Sequence, residues 1–241
     1  MQSGKSNKIY LGDCLEVMKQ IPDKSIDLVL TDPPYGINAH KRSDKSGEVK
    51  QKNGAKMTVK SAELINLGWD KKTPEQEYFD EIKRVSKNYI IFGCNYMTNI
   101  EFPAGRLIWD KLNGFSDQYS AEIAAHTFGL RVDTVYYLWR GMFQGEVATK
   151  DASIALRQQG NKKLNEKIIH PTQKPVKLFK WILDKYSEEG QTILDPFAGS
   201  GTTAIACHDL KRNFICIEKE PEYHAIATKR YNEAKAQMTL F

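Results

Sequence analysis

Short apolar runs alternate with amphipathic segments along most of the chain. The runs predict seven strands, at residues 9–11, 26–31, 89–92, 106–109, 134–139, 192–194 and 214–217. Apolar positions at helical spacing predict helices between most of these strands, at about 15–18, 78–85, 175–186 and 202–210, and from residue 221 onwards. Alternation of strands and helices favours a parallel sheet that is covered on both faces. We therefore predict an α/β fold with a doubly wound, mostly parallel, seven-stranded sheet.

Two polar segments interrupt this alternation, at residues 37–68 and about 140–168. Both are long for loops of a compact domain, so we expect them to be functional insertions in a single domain that spans residues 1–241. Residues 40–60 carry seven lysines or arginines against two acids, and this excess of five equals the net charge of the whole chain, +5. The segment is consistent either with a solvated basic loop or with an arm that contacts phosphates.

The bulk composition restricts the class of protein. The chain is 41% hydrophobic and 27% charged, as in ordinary globular proteins. It has no apolar run of the roughly 20 residues that a membrane helix needs, and its first residues lack the apolar core of a signal peptide. The four cysteines form no C-x-x-C pair, so neither a zinc site nor a disulfide is expected. We expect a reduced, cytoplasmic protein without a metal or a membrane partner.

The strand predicted at residues 26–31 ends in an unusual group, Asp32-Pro33-Pro34-Tyr35. Two adjacent prolines end a strand or a helix, because they lack the backbone N–H and restrict the preceding residue. Alone, such a segment is most often a turn. At the tip of a buried strand, however, it places a carboxylate and an aromatic ring at the edge of the sheet.

A second group lies between a strand and a helix, in the segment LDPFAGSGTT that contains Gly199 and Gly201. It has no lysine, so it is not a phosphate-binding Walker A loop. Asp195 would repel a pyrophosphate and suit a ligand with an ammonium group. Glu218, about 20 residues further on, is placed to accept hydrogen bonds from a ribose. These features predict a nucleoside ligand with a positive tail and no phosphate, which describes S-adenosylmethionine.

Together, the DPPY and DPFAGSGTT segments resemble the amino-methyltransferases of DNA, in the circularly permuted class whose catalytic motif precedes the cofactor motif. Asp13 resembles the acid of the family that lies near the cofactor adenine, and residues 170–175, HPTQKP, resemble the segment that closes over the cofactor. The resemblance covers most of the chain and implies a Rossmann-like methyltransferase fold. In that fold, strands 192–195 and 214–218 come first and second, and strands three and four resume at Ile9 and Ile26.

The motifs also predict the residues of the site. The catalytic residues are Asp32, Pro33, Pro34 and Tyr35. The residues that bind the cofactor are Asp13, Thr172, Lys174, Asp195, Phe197, Gly199, Ser200, Gly201, Thr202 and Glu218. For Asp13, simple capping of the following helix is an open alternative.

The DPPY segment suggests a way to activate an amino group. A side-chain oxygen of Asp32 and the carbonyl of Pro33 can accept the two N–H bonds of the 6-amino group of adenine, which frees the nitrogen lone pair. Tyr35 offers a face for a base that has left the duplex. In the family, DPPY usually accompanies adenine and SPPY usually accompanies cytosine, so we favour adenine. N4-cytosine methylation is the alternative, and a non-catalytic DNA-binding subunit or a nicotinamide dehydrogenase is less favoured.

Double-stranded DNA is the expected partner. We predict that DNA is contacted by basic side chains of the first insertion and by forked side chains of the second, namely Lys41, Arg42, Lys45, Lys50, Lys52, Arg140, Gln144 and Arg157. The alternative is that these segments contact only phosphates or each other. A chain of 27.5 kDa has little surface with which to surround a duplex, which favours a homodimer. The sequence leaves open whether a restriction endonuclease acts on the same sites.

Overall fold

A computed structural model describes residues 7–38, 47–50, 56–59, 70–113, 119–140, 143–145, 165–170 and 172–238. Its strands, in chain order, are β1 (Lys8–Leu11), β2 (Ile26–Thr31), β3 (Gly47–Lys50), β4 (Lys56–Val59), β5 (Ser86–Phe92), β6 (Gly105–Asp110), β7 (Ala121–His126), β8 (Val132–Tyr136), β9 (Leu138–Arg140), β10 (Phe143–Gly145), β11 (Thr192–Asp195) and β12 (Asn213–Glu218). Its helices are α1 (Cys14–Met18), α2 (Gln76–Val85), α3 (Val176–Tyr186), α4 (Thr202–Asp209) and α5 (Pro221–Met238).

One large sheet has the strand order β1-β12-β11-β2-β5-β7-β6-β8, and only β7 within it runs antiparallel to its neighbours. The order of the first four strands confirms the permutation, because β11 and β12 lie next to β2 and β1 although they come last in the chain. Ile193 pairs with Leu28 and Leu194 with Val29 across β11 and β2. The carboxyl ends of these two strands are therefore neighbours.

Helices cover both faces of the sheet, which confirms the doubly wound arrangement. On one face, Met18 of α1 and Phe79 and Ile82 of α2 pack in a common cluster with β2 and β5. On the other face, Ile182 of α3 and Ala227 of α5 belong to a second cluster with the sheet. The alternating burial of the strands provides the apolar surface on both sides.

The sheet has eight strands where the sequence predicts seven. The additional strand is β7, with the sequence AEIAAH, whose alanines give a weak strand signal. The run predicted at residues 134–139 is divided between β8, on the edge of the large sheet, and β9, which pairs with β10 in a separate two-stranded sheet. Within the described residues, the two insertions show only the short hairpins β3–β4 and β9–β10 and a few residues beside them.

Three further features concern the described residues. All four cysteines are free thiols. No helix there is both long and apolar enough to cross a membrane. No three histidine, cysteine, aspartate or glutamate side chains in this part of the chain are grouped as metal ligands would be.

Candidate functional site

The carboxyl ends of β2, β11 and β12 open into a cleft of about 530 Å³. Its lining includes Asp32 and Pro34 from the end of β2, Phe197 and Gly199 from the turn after β11, and Glu218 from the end of β12. The two motifs, at opposite ends of the chain, therefore share one cavity. Its volume lies within the range of about 300–1,000 Å³ that is usual for small-molecule sites.

Asp195 joins the two motifs. Its Oδ1 accepts hydrogen bonds from the Thr31 hydroxyl at 2.7 Å and from the Phe197 N–H at 3.1 Å, and its Oδ2 accepts one from the Thr203 hydroxyl. Burial raises the pKa of this carboxyl to about 6 despite these donors. The sequence predicts that Asp195 contacts a ligand ammonium, whereas in the structure its oxygens hold the turn and the end of β2 together.

The glycine turn depends on backbone conformations that favour glycine. Gly199 and Gly201 have φ values of +50° and +77°. A Cβ on Gly201 would lie 3.0 Å from the Cβ of Ala227, a tight contact, so glycine at this position lets helix α5 pack closely against the turn. The Gly199 N–H donates to Glu218 Oε2 at 2.8 Å and so ties the turn to the end of β12.

Glu218 combines a structural role with capacity for a ligand. Its Oε1 accepts the Glu220 N–H at 2.9 Å, and its Oε2 accepts the Gly199 N–H. Lys219 also contributes a backbone hydrogen bond, and since a carboxylate has about four acceptor sites, Glu218 keeps capacity for another donor. Burial raises the pKa of the Glu218 carboxyl to about 7.

We predict that Glu218→Gln changes the pH dependence of stability. Because the folded-state pKa is raised from 4.5 to about 7, wild-type stability from this group is fully present below about pH 4.5 and is lost as the pH rises through 7. Glutamine has no such dependence. The melting temperature of the variant minus that of the wild type should therefore rise between about pH 5 and pH 8. Glu189→Gln, at an exposed glutamate, controls for the loss of a charge, and a difference for Glu218→Gln that stays flat with pH would contradict this assignment.

Acidic residues predominate in the lining of the cleft. Six acids line it against two lysines; the acids are Asp13, Asp32, Glu75, Glu77, Glu218 and Glu220, and the lysines are Lys72 and Lys219. His170 adds no positive charge at neutral pH, because burial and the nearby Lys174 lower its pKa to about 3. Such a lining favours a cationic ligand and disfavours a pyrophosphate.

The Asp32 carboxylate lies in a network of buried charges. Its Oδ1 accepts a hydrogen bond from the Tyr35 hydroxyl, and its Oδ2 accepts one from the Lys174 ammonium at 2.5 Å. The same ammonium lies 2.8 Å from Glu122 Oε2. The sequence predicts that Lys174 contacts the cofactor. In the structure, its side chain pairs with two carboxylates, Asp32 of the DPPY segment and Glu122.

Glu122, on β7, is a site residue that the sequence does not reveal. It forms a second ion pair with Lys111, and its Oε2 lies 3.2 Å from the Tyr35 hydroxyl. Although burial opposes ionisation, the Lys174 and Lys111 ammonium groups lower its pKa well below the usual value. Burial alone would lower the pKa of Lys174, but the carboxylates of Asp32 and Glu122 raise this pKa overall, so the lysine stays charged.

The backbone and ring of Tyr35 are held from several sides. Asp70 Oδ1 accepts the N–H groups of Tyr35 and Gly36, at 2.8 Å and 2.7 Å. The ring stacks on Tyr96 with centroids 4.8 Å apart and planes 14° apart. A Cβ on Gly93 would overlap the Tyr35 ring, so the ring lies directly against the Gly93 backbone. The tip of the DPPY segment is therefore rigidly positioned.

Asp13 and Thr172 are two of the predicted cofactor residues that lie in the lining of the cleft. Asp13 also caps α1, because its Oδ1 accepts the Leu15 N–H at 2.9 Å, and its Oδ2 pairs with Lys219 at 3.1 Å. The Thr172 N–H points to His170 Nδ1 at 3.3 Å. The capping alternative for Asp13 is thus present, and it leaves the residue in the wall of the cleft.

Ser200 and Thr202 do not line the main cleft but line a small pocket beside it, together with Asp32 and Lys174. Arg230 donates to the Ser200 carbonyl at 3.2 Å and to the Thr202 hydroxyl at 3.1 Å, and its other end pairs with Glu166 at 3.0 Å. Glu166 in turn accepts the first N–H of α3, from Val176, at 2.8 Å. These bonds connect the glycine turn to the end of the second insertion, and neither Arg230 nor Glu166 is predicted from the sequence.

The predicted DNA contacts fall mostly outside the described residues, which applies to Lys41, Arg42, Lys45, Lys52 and Arg157. Lys50 and Arg140 end strands β3 and β9. Gln144 is buried, and its amide group bonds both backbone groups of Glu166, at 2.8 Å and 3.0 Å. In this structure, Gln144 thus holds the insertion together and is not exposed for contact with DNA.

The sequence of this chain is similar to those of known proteins. Residues 103–229, more than half of the chain, match a family model for N6/N4 methyltransferases that is described as DNA methylase. The chain is 28% identical over 261 residues to the type II methyltransferase M.HinfI of Haemophilus influenzae. This alignment covers 95% of the chain and 69% of that protein. It is 29% identical to M2.MboI of Moraxella bovis, another type II methyltransferase, over 95% of the chain and 89% of that protein.

Solved structures of similar fold support the architecture. TTHA0409 of Thermus thermophilus, described as a DNA modification methylase, aligns with a TM-score of 0.53 and 18% identity, over 94% of this chain and 95% of that one. The PvuII DNA methyltransferase, described as specific for cytosine N4, aligns with a TM-score of 0.56 and 15% identity, over 94% and 86% of the two chains. At these identities the likeness concerns the fold.

Proposed function

The chain belongs to the N6/N4 DNA methylase family, and from this premise we propose that it transfers a methyl group from S-adenosylmethionine to the 6-amino group of adenine in double-stranded DNA. The observation that carries the proposal is the shared cleft, in which Asp32 of the DPPY segment and the glycine turn line the same cavity. The acceptor for an amino group and the candidate nucleoside site are thereby next to each other.

The cleft fits S-adenosylmethionine in size and in charge. Glu218 retains acceptor capacity for a ribose, and Phe197 and Tyr78, with ring centroids 5.8 Å apart, give the lining an aromatic portion. The excess of acids over lysines suits a cation. When bound, this cofactor supplies a methyl group activated on a sulfonium.

The DPPY segment acts on the amino group. Asp32 Oδ and the Pro33 carbonyl accept hydrogen bonds from the two N–H groups of the target amino group. These bonds draw the nitrogen towards tetrahedral geometry and make its lone pair available. A flipped base would stack on the Tyr35 ring, which requires that Tyr96 give up the stacked position that it has in this structure. The site thus contributes mainly position and preorganised electrostatics.

Adenine is proposed over cytosine because the motif begins with aspartate, as is usual for adenine in the family, and not with serine. N4-cytosine methylation remains the second candidate, since the PvuII enzyme of similar fold carries that specificity. Incubation of the protein with DNA and methyl-labelled S-adenosylmethionine, followed by hydrolysis and chromatography, separates the two products. We expect label in N6-methyladenine; label in N4-methylcytosine alone would refute the adenine assignment, and no labelled base would refute the activity.

The partners follow from the same premise. We propose that the insertions at residues 37–68 and about 140–168 contact the duplex and that a homodimer provides the surface to enclose it. Both similar proteins are named type II methyltransferases, which supports action beside a restriction endonuclease that cuts the same sites. Sequencing of genomic DNA from cells that express the chain would give the methylated site.

Gly93→Ala is expected to impair catalysis through Tyr35. The new Cβ would overlap the Tyr35 ring, so the ring must move away from its position beside Asp32. Gly129→Ala is the matched control, because Gly129 has a similar φ, +78° against +71°, and open space around its Cβ position. Both variants should lose about 1–3 kcal/mol of folding free energy to backbone strain. Only Gly93→Ala should also lower kcat, and equal kcat values in the two variants would contradict the role of the ring.

A further inference from the structure

Asp32 and Lys174 lie side by side at the end of the DPPY segment. The Asp32 oxygens accept hydrogen bonds from Tyr35 and from Lys174, and a carboxylate has about four acceptor sites, so the target amino group can also donate to it. An amino group that reaches Asp32 Oδ2 also comes close to the Lys174 ammonium, which lies 2.5 Å from the same oxygen. The Lys174 side chain is only 4% exposed, so bulk water competes little for this ammonium, and it can donate to an acceptor that lies beside the amino group.

The Watson–Crick edge of adenine presents such an acceptor. The 6-amino group lies beside ring nitrogen N1, an acceptor, and in cytosine the 4-amino group lies beside N3 in the same way. We propose that Lys174 donates a hydrogen bond to the ring nitrogen next to the target amino group, while Asp32 accepts from the amino group. Guanine and thymine carry a carbonyl and an N–H at these positions, so both contacts would be repulsive. The pair thus selects adenine and cytosine among the four bases.

Neighbouring groups keep Lys174 in place. Glu122 Oε2 lies 2.8 Å from the ammonium, and Lys111 pairs with the other Glu122 oxygen. The Lys174 carbonyl accepts the Thr202 hydroxyl at 3.1 Å, which fixes the backbone of the lysine to the start of α4. The backbone and the ammonium group of Lys174 are therefore both held beside the acceptor proposed for the amino group. This inference rests on the proposed function and extends it to the recognition of the base.

The test combines a variant with an altered substrate. The substrate is an unmethylated duplex that contains the sequence recognised by the enzyme. In it, the target adenine is replaced by 1-deazaadenine, which lacks the ring acceptor N1 and keeps the amino group. The wild type should lose about 10- to 100-fold in kcat/KM on this analogue. Lys174→Met should lose a similar factor on normal adenine and no further activity on the analogue. The control, Lys180→Met, removes a partly exposed lysine that pairs with Asp209, and it should show the full wild-type penalty on the analogue.

Additive losses would overturn the assignment, because they would mean that Lys174 does not contact the ring nitrogen. Lys174→Met leaves the Asp32 and Glu122 carboxylates facing each other, which can impair folding. The comparison of adenine with the analogue is therefore repeated in the double variant Lys174→Met/Glu122→Gln, which removes one of these charges. If the product is N4-methylcytosine, the same cycle is run with 3-deazacytosine, and the same outcomes decide it. A wild type that methylates neither base refutes the proposed function and this inference with it, whereas additivity in an active enzyme refutes only the inference.

Discussion

Replacing Asp32 with alanine is expected to lower kcat for methyl transfer by about 100- to 1,000-fold, the usual effect of removing one preorganised hydrogen-bonding group from an active site. The carboxylate is the acceptor for the target amino group, and its loss leaves only the Pro33 carbonyl. Transfer of labelled methyl to DNA in single-turnover experiments would measure this effect. Binding of S-adenosylhomocysteine should remain, since the groups assigned to the ribose lie on β12.

Asp32→Asn serves as the matched variant. Its amide retains one oxygen that can accept an N–H bond, so we expect activity between that of the wild type and that of the alanine variant. Asp32→Ala removes a partner of Lys174 and Asp32→Asn removes only the charge of that partner, while Lys174 keeps Glu122 at 2.8 Å. A wild-type rate for Asp32→Ala would contradict the proposed chemistry, and a melting transition lost in both variants would instead indicate a structural effect.

Asp195→Ala is expected to have the largest effect on folding. It removes a buried carboxylate and leaves the Thr31 hydroxyl, the Thr203 hydroxyl and the Phe197 N–H without their acceptor. Several unpaired buried donors should together cost about 3–5 kcal/mol of folding free energy. The glycine turn would lose its anchor, so affinity for S-adenosylhomocysteine should fall as well. Denaturant unfolding and calorimetric titration would measure the two losses.

Two milder variants separate these contributions. Asp195→Asn keeps an oxygen acceptor and an isosteric side chain, and Thr203→Val removes a single hydrogen bond of about 1 kcal/mol. Each should retain the turn and bind the cofactor analogue more tightly than Asp195→Ala. If Asp195→Ala were as stable as Thr203→Val, the carboxylate would not be the element that joins the two motifs.

The sequence predicts the position of the cleft because its signals are local. A strand that ends in DPPY and a strand that ends in DPFAGSG each carry their own turn residues, and parallel strands must bring these ends to one edge of the sheet. The strand order β1-β12-β11-β2 then places Asp32 and Gly199 in one cavity. The same reasoning identifies Glu218, which lies at the end of the adjacent strand.

The charge network around Asp32 could not be predicted in this way. Lys174 and Asp32 are 142 positions apart, and a motif places a segment near a site without specifying where a long side chain reaches. Glu122 lies in a strand whose alanines give only a weak strand signal in the sequence. An isolated charged residue, such as Glu122 or Lys111, also has no sequence pattern that distinguishes it from a surface charge. Side-chain pairing across the sheet depends on tertiary packing.

We expect a methyl donor to bind against the glycine turn with its reactive end directed at Asp32. A crystal structure of the protein with S-adenosylhomocysteine tests this most directly. We predict that the ligand sulfur lies about 5–8 Å from an Asp32 carboxylate oxygen, which is the span of one hydrogen bond and one near-attack contact. We also predict that the ribose hydroxyls donate to Glu218. A ligand bound elsewhere, or one whose sulfur faces away from Asp32, would contradict the account.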